Sequence, residues 1–288
     1  MHIKELALAI ATALLLPVAA IAQQVAQQRV ETISLVTTDP TVADPGHWVA
    51  GAGVEGFYQF WFGLPPTVGN ATGTSTISGG GPGATLMLGY DDFWAQLNYR
   101  NGSWTDNESL MLVPNGTPFT DHWQFSTNEI ELRMRYLFRN DQFAGITPYL
   151  IGGYNHTNLN GTRTITGGNI IFTSTLSTKF GASDAYNFFF LGFGGLYEFN
   201  DRVGLRFDGA GGVGPASQTI RNPAPGVTPT ASDTGWGGVG VLTFYYRVTE
   251  NIVAQAGVKA EAIVPANGKV QNLGAVGPYV NIGYTTRF

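Results

Sequence analysis

The sequence predicts an all-β fold: a transmembrane, antiparallel up-and-down β-barrel of about ten strands, with eight or twelve as the neighbouring counts. Three observations predict it. The chain ends on Asn281-Ile282-Gly283-Tyr284-Thr285-Thr286-Arg287-Phe288, a period-2 segment with a mostly apolar face (Val280, Ile282, Tyr284, Phe288) and a mostly polar one (Asn281, Gly283, Thr285, Arg287). Further upstream lie segments of similar alternation, each near the about 9–11 residues that a tilted membrane-spanning strand needs. The connections between them alternate between short polar turns and long loops, an asymmetry that a membrane barrel has and a soluble sandwich has no reason to show.

Composition agrees. Only 12% of residues are charged, about half the usual share of a soluble domain. The mean hydropathy is +0.02, as expected when each strand is apolar on one face only. The 39 glycines and 12% aromatic residues fit strands joined by tight turns. With no cysteine there is neither a disulfide framework nor thiol chemistry. A net charge of −5 and the lack of any basic run argue against nucleic acid as a partner.

Taken in order, residues 1–22 read as a cleaved signal peptide, with Lys4 in the n-region, an apolar run over 6–21 and the cleavage site Ala20-Ile21-Ala22. Residues 23–47, rich in Gln, Thr and Ala, read as a flexible periplasmic segment, with a short lumenal plug as the alternative. The barrel occupies 48–288, with strands over 48–62, 83–90, 93–103, 123–138, 145–155, 186–199, 203–212, 235–248, 252–263 and 277–288. Asp91-Asp92, Arg139-Asn140-Asp141-Gln142, Asn200-Asp201-Arg202 and Thr249-Glu250-Asn251 are the short turns. The long loops cover 64–82, 104–122, 156–185, 213–234 and 265–276. Two of them carry material for extra hairpins, around Gly167-Gly168 and over 110–113, which extend strands above the membrane. An even strand number places both barrel ends on the short-turn side.

Alternation assigns the two faces of the wall. Over 123–138, Ile130, Leu132, Met134, Tyr136 and Phe138 share one face, and Glu129, Glu131, Arg133 and Arg135 the other. A charge facing acyl chains near the midplane costs about 2–4 kcal/mol, so the four charges face the lumen. The same argument turns Glu55, Arg100, Glu198, Arg206, Asp208, Arg247, Lys259, Glu261 and Arg287 inward. The two signs nearly cancel in this set. Two readings compete: a plugged interior of paired charges, and a narrow water-filled pore whose charges set ion preference. Inward glycines (Gly51, Gly53, Gly89, Gly192, Gly194, Gly204) remove side-chain volume and lean towards a channel. Carriage of apolar molecules would need an apolar lumen, against which these inward faces argue. Aromatics near strand ends, among them Trp48, Tyr58, Phe60, Tyr90, Phe93, Tyr246 and Tyr284, fit girdles at the membrane interfaces.

No catalytic constellation is expected. Asp121 and His122 are adjacent and point to opposite faces of an extended strand, so they cannot converge on one substrate. Asp106 and Asp184 fall in loops, and His47, His122 and His156 are the remaining histidines after signal cleavage. No His/Asp cluster has metal-ligand spacing, and no cofactor is implied.

The terminal segment, with Asn281, Gly283, Tyr284 and Phe288, resembles the last strand by which Gram-negative outer-membrane barrels are recognised for assembly; Thr286 departs from the aromatic usual there. Phe199-Asn200-Asp201-Arg202-Val203-Gly204-Leu205-Arg206 is similar to strand–turn–strand units of the OmpA-like and porin-like barrels. The resemblance covers 48–288 and assigns no subfamily. The separated Asp/His pattern of the omptin proteases, another barrel group of this size, is absent. The resemblance implies location in the bacterial outer membrane, contact with its lipid and lipopolysaccharide, and delivery by the barrel-assembly machinery. The leading functional expectation is porin-like passive diffusion of small solutes through a narrow polar lumen. The alternative is a plugged structural or surface-interaction barrel whose long loops bind partners.

Overall fold

A computed structural model describes residues 47–61, 77–106, 109–112, 118–139, 144–169, 172–221, 230–268, 270 and 272–288. The signal peptide and the 23–46 part of the leader lie outside the described residues. The strands are β1 (Trp48–Trp61), β2 (Ile77–Tyr90), β3 (Phe93–Asp106), β4 (Ser109–Leu112), β5 (Pro118–Leu137), β6 (Ile146–Asn169), β7 (Phe172–Asn200), β8 (Val203–Arg221), β9 (Thr230–Arg247), β10 (Ile252–Pro265) and β11 (Leu273–Arg287). Ten of them form a closed antiparallel wall in the order β3-β2-β1-β11-β10-β9-β8-β7-β6-β5, with β5 pairing back onto β3. The short β4 pairs with the outer end of β5.

Closure joins the first strand to the last. Trp48 and Phe288 exchange backbone hydrogen bonds of 3.1 and 3.0 Å, and the register continues from Val49↔Arg287 to Trp61↔Ala275. Thus Tyr284, Ile282 and Val280 stand exposed on the outer face, while Gly283 is buried and Asn281, half-buried, donates to Thr85 at 3.3 Å.

Local chemistry explains the short turns. Asp91 takes a φ of 52°, a left-handed conformation that Asp tolerates better than most residues, and so closes the two-residue turn between β2 and β3. Asn200 Oδ1 accepts from the amides of Arg202 (2.9 Å) and Val203 (3.0 Å), pinning the β7–β8 turn. Thr249 Oγ1 does the same for Asn251 (3.3 Å) and Ile252 (3.0 Å) before β10.

The long loops are shorter than the sequence suggested. Strand pairing runs on through 77–82, 118–122, 156–169, 172–185 and 213–221, and β5, β6 and β7 reach 20, 24 and 29 residues. The sequence signal of a membrane strand is the contrast between its faces, and that contrast exists only where one face meets acyl chains. Beyond the lipid both faces turn polar or small, while the backbone ladder continues. The segments flanking Gly167-Gly168 become the ends of β6 and β7, and 109–112 becomes β4.

The outer surface bears an apolar band edged by rings. Trp48, Tyr90, Phe93 and Tyr136 form a cross-strand row over β1, β2, β3 and β5, with the Trp48 and Tyr90 rings 4.8 Å apart. Towards the long-loop end Tyr58, Phe60, Tyr99 and Trp236 are exposed on the same face. Amphipathic rings at two levels suit the two interfaces of a bilayer.

Candidate functional site: a charged layer across the bore

Strand β5 supplies the spine of the site. Its period-2 pattern puts Glu129, Glu131, Arg133 and Arg135 in one inward row, while Ile130, Leu132, Met134 and Tyr136 are exposed outside. Partners come from four other strands: Glu55 on β1, Arg100 on β3, Arg206 and Asp208 on β8, Lys259 and Glu261 on β10. All ten groups are buried, five acids against five bases, so the layer is formally neutral.

The contacts chain these charges together. Arg100 grips Glu55 through two hydrogen bonds, at 2.5 and 3.2 Å, and reaches Glu129 at 3.4 Å. Lys259 contacts Glu129, Glu131 (3.3 Å) and Glu261 (3.0 Å). Arg133 bridges Glu131 (2.8 Å) and Asp208 (2.6 Å), and Arg135 joins Asp208 at 3.1 Å. In the wall, β10 stands five places from β5 in either direction. Lys259 therefore reaches straight across the bore and bolts one wall to the other. Breaking such a buried set by removing one member costs several kcal/mol, because the partner charges stay buried.

Uncharged groups complete the layer. Tyr149 donates to Asp208 and Asn98 to Glu131 (3.1 Å). Asn155 donates to Glu129 (3.0 Å), and Gln96 accepts from Arg135 (3.0 Å). Thr243 holds Arg206 (3.4 Å) and Tyr279. Charge counting passes over Tyr149, Asn155, Thr243 and Tyr279; a parity signal exists for two of them, Thr243 with Arg247 on β9 and Tyr279 with Asn281 on β11. The remaining charges predicted to line the lumen lie towards the short-turn end. Arg247 is buried and donates to the Asp201 carbonyl oxygen. Glu198 is half-buried and accepts from Tyr245 at 3.4 Å, and Arg287 is exposed at the mouth. Arg287 belongs to the rim rather than the lumen because the wall ends there and no further turn of strand covers it.

At two of the inward glycines the space is taken by a ring. A Cβ on Gly194 would lie 2.2 Å from the Tyr149 ring, and one on Gly204 would lie 2.0 Å from the Tyr245 hydroxyl. These glycines are seats for rings. Small gaps lie at the charged layer, among them one of about 20 Å³ between Glu55, Asn98, Arg100, Glu131, Arg206 and Tyr279, and one of about 10 Å³ between Glu131, Asn155, Glu261, Phe190 and Ile263. Each has room for about one water.

Above the charged layer the bore changes character. Phe57, Trp61, Trp104 and Phe125 pack together inside the wall, with the Trp104 and Phe125 rings stacked at 5.5 Å and Trp61 edge-on to both at 5.4 Å. Tyr186, Phe188, Phe190, Ile263 and Leu273 are buried in the same apolar cluster. The expectation that the inward faces are polar throughout is thus corrected: it holds for one storey only. Phe57 shares a face with Glu55, but it carries no charge, so the cost that turns Glu55 inward said nothing of its surroundings. Trp104 had been placed in a loop.

Among the described residues, no group of three or more His, Asp or Glu could hold a metal ion. His156 Nδ1 lies 2.9 Å from Asn187 Oδ1, on a half-buried outer position. Glu198, Asp184 and His122 are not brought into the charged layer.

No family model and no curated protein sequence matches the chain. Solved structures do. The outer membrane protease OmpT of Escherichia coli aligns over 90% of this chain and 99% of its own, at 12% identity and a TM-score of 0.48. The translocator domain of the autotransporter NalP from Neisseria meningitidis aligns over 86% of this chain and 91% of its own, at 12% identity and a TM-score of 0.43. An outer membrane channel from Pseudomonas putida F1 aligns over 89% and 100%, at 8% identity and a TM-score of 0.39. Likeness at this level concerns fold and carries no activity across. With its closed ten-strand up-and-down wall and its outer apolar band, the described chain is an antiparallel β-barrel, similar in fold to small outer-membrane barrel proteins.

Proposed function

We propose that the protein is a closed outer-membrane barrel that acts through its long-loop end, as a structural or surface-interaction element. One observation carries this reading: Lys259 on β10 meets Glu129 and Glu131 on the opposite strand β5, inside a neutral layer of ten buried charges whose gap beside Glu55 and Arg100 is about one water in size. A filled bore leaves the outer ends of β5, β6 and β7, which run well past the length a bilayer needs, as the part available to partners. In this reading residues 1–22 are removed on export, the long-loop end faces away from the cell among lipopolysaccharide headgroups, and Asn281, Gly283, Tyr284 and Phe288 are read by the assembly machinery. We propose no catalytic activity and no cofactor.

A second reading is a porin-like pathway for small solutes. The polar gap beside Glu55, Asn98 and Arg206 favours it. The two are separated by planar-bilayer conductance of the refolded protein, with a heat-modifiability gel to verify the barrel. The closed-barrel reading expects no steady current from the wild type, and discrete openings once Lys259→Ala removes the bolt. Steady wild-type steps whose ion preference changes on Arg133→Ala or Arg135→Ala would reject it in favour of the pore.

A further inference from the structure

The outside of the wall changes character as abruptly as the bore. On β5 the outward row runs from Tyr136, Met134, Leu132 and Ile130, all exposed, to Asn128, Ser126 and Gln124. Pairing extends the change sideways. Asn101, Asn128 and Asn158 are direct neighbours across β3, β5 and β6, and Ser103, Ser126 and Asn160 form the next row towards the long-loop end. Hydrogen bonds tie these amides into one layer. Asn101 donates to Asn128 Oδ1 at 2.6 Å, the Tyr99 hydroxyl donates to the same oxygen at 3.1 Å, and Asn160 donates to Asn158 at 3.2 Å. Asparagine is disfavoured in strands, where threonine would suit a face that meets only water. Over 99–105, 124–128 and 154–162 the outward positions hold no Lys, Arg, Asp or Glu.

We propose that this apron binds the uncharged sugar headgroups of glycolipids in the leaflet around it. Carboxamides both donate and accept, as sugar hydroxyls do, and three of them in register repeat that pairing at the strand spacing of about 4.8 Å. Tyr99, 45% exposed at the foot of the row, sets a ring beside them. A phosphate would call for Arg or Lys, which these rows lack. Position selects a lipid-borne sugar over a soluble one: Asn128 stands two residues, roughly 7 Å along the strand, from the exposed Ile130 of the apolar band. The inference deepens the surface role, and it rests on the reading in which the long-loop end faces away from the cell.

The test follows the rate at which the refolded full chain unfolds in urea from phosphatidylcholine vesicles, plain or doped with digalactosyl diacylglycerol or with phosphatidylglycerol. The expected result is unfolding slowed roughly three- to tenfold by the galactolipid, the range of one net neutral hydrogen bond, and not by the anionic lipid. The Asn101→Thr/Asn128→Thr/Asn158→Thr variant, shown to be folded by its heat shift, should unfold equally fast with and without galactolipid. If it does not fold, Asn101→Thr/Asn128→Thr gives the same comparison. Equal wild-type rates in plain and galactolipid vesicles, a larger effect of phosphatidylglycerol, or a galactolipid effect that survives in the variant would each overturn the proposal. Orientation is read separately, since vesicles offer the lipid to both ends of the wall. Thr219→Cys, at an exposed position of β8, should react with an impermeant maleimide on intact cells. Absence of labelling would overturn the outward orientation, while the vesicle rates still decide the sugar contact.

Discussion

The charged storey and the aromatic storey occupy inward positions of one ten-stranded wall and are both hidden from water, but they fill space by different rules. The Glu129–Arg135 row is satisfied only if each charge meets its opposite in place, and Lys259 must answer three carboxylates at once. The Trp61–Trp104–Phe125 cluster needs only volume and ring geometry. Deleting a member of the first leaves an uncompensated charge, whereas trimming the second leaves a hole. Facing inward in a barrel therefore says nothing by itself about polarity; height along the strand decides which rule applies.

Substitutions can break this contrast, and the largest effect is expected at Lys259. Lys259→Met leaves Glu129, Glu131 and Glu261 facing one another, and we expect a loss of about 3–5 kcal/mol in urea unfolding from lipid vesicles. The contrast sharpens if Arg100→Leu is comparably damaging but Arg100→Leu/Glu55→Leu recovers at least half of the loss, since Glu129 keeps Lys259; additivity in that cycle would mean the pair is not a unit. Next comes Gly204→Val, which drives a side chain into Tyr245 and should cost about 1–3 kcal/mol by overpacking. A free fit without loss of stability would show that Tyr245 has somewhere else to go.

Asp184 gives a smaller effect confined to one pH window. It sits inside β7 above the lipid band, five residues before the exposed Phe189, and burial raises its carboxyl from 3.8 to about 6 while a hydrogen bond from Gln218 opposes the rise. Between about pH 4 and 6 the folded protein keeps a proton that the unfolded chain has released. This stabilises the fold at low pH, and the advantage is lost as pH rises through about 6. Asp184→Asn should therefore be more stable than the parent above pH 6 and flatter across the window; a parallel pH profile would show that the carboxyl is ordinary. The smallest change is expected for Trp104→Phe, below about 1 kcal/mol, because packing is nearly kept and the lost N–H had no partner. A larger loss would assign the indole N–H a structural role.

Much of this was legible in the chain. Four alternating charges in Glu129–Arg135 can face only one way in a bilayer, and the ten strand centres follow from the same contrast. The terminal strand was readable because Val280, Ile282 and Tyr284 share one parity and Asn281 and Gly283 the other. What could not be read is whatever lies away from the acyl chains. Pairing over 156–185 continues with Thr, Asn and Gly on both faces, so no contrast marks it. Phe188-Phe189-Phe190-Leu191 is apolar on both faces, and alternation cannot tell that Phe190 is inside and Phe189 out. The use of Gly194 and Gly204 was misread because a missing side chain looks like empty space until the ring across from it is placed. Cross-bore partners such as Asp208 for Arg133 were outside the reach of any local pattern, since 75 residues separate them.

The paired backbone groups of Trp48 and Phe288 have a kinetic consequence. That contact links β1 to β11, the two wall strands farthest apart in sequence, so the wall can be sealed only once both have formed. Until then both β1 and β11 present unpaired edges, a standing invitation to associate with other chains. Long-range pairing of this kind is intrinsically slow to form. The interval before sealing is therefore the period in which this chain is most exposed to pairing with the wrong edge.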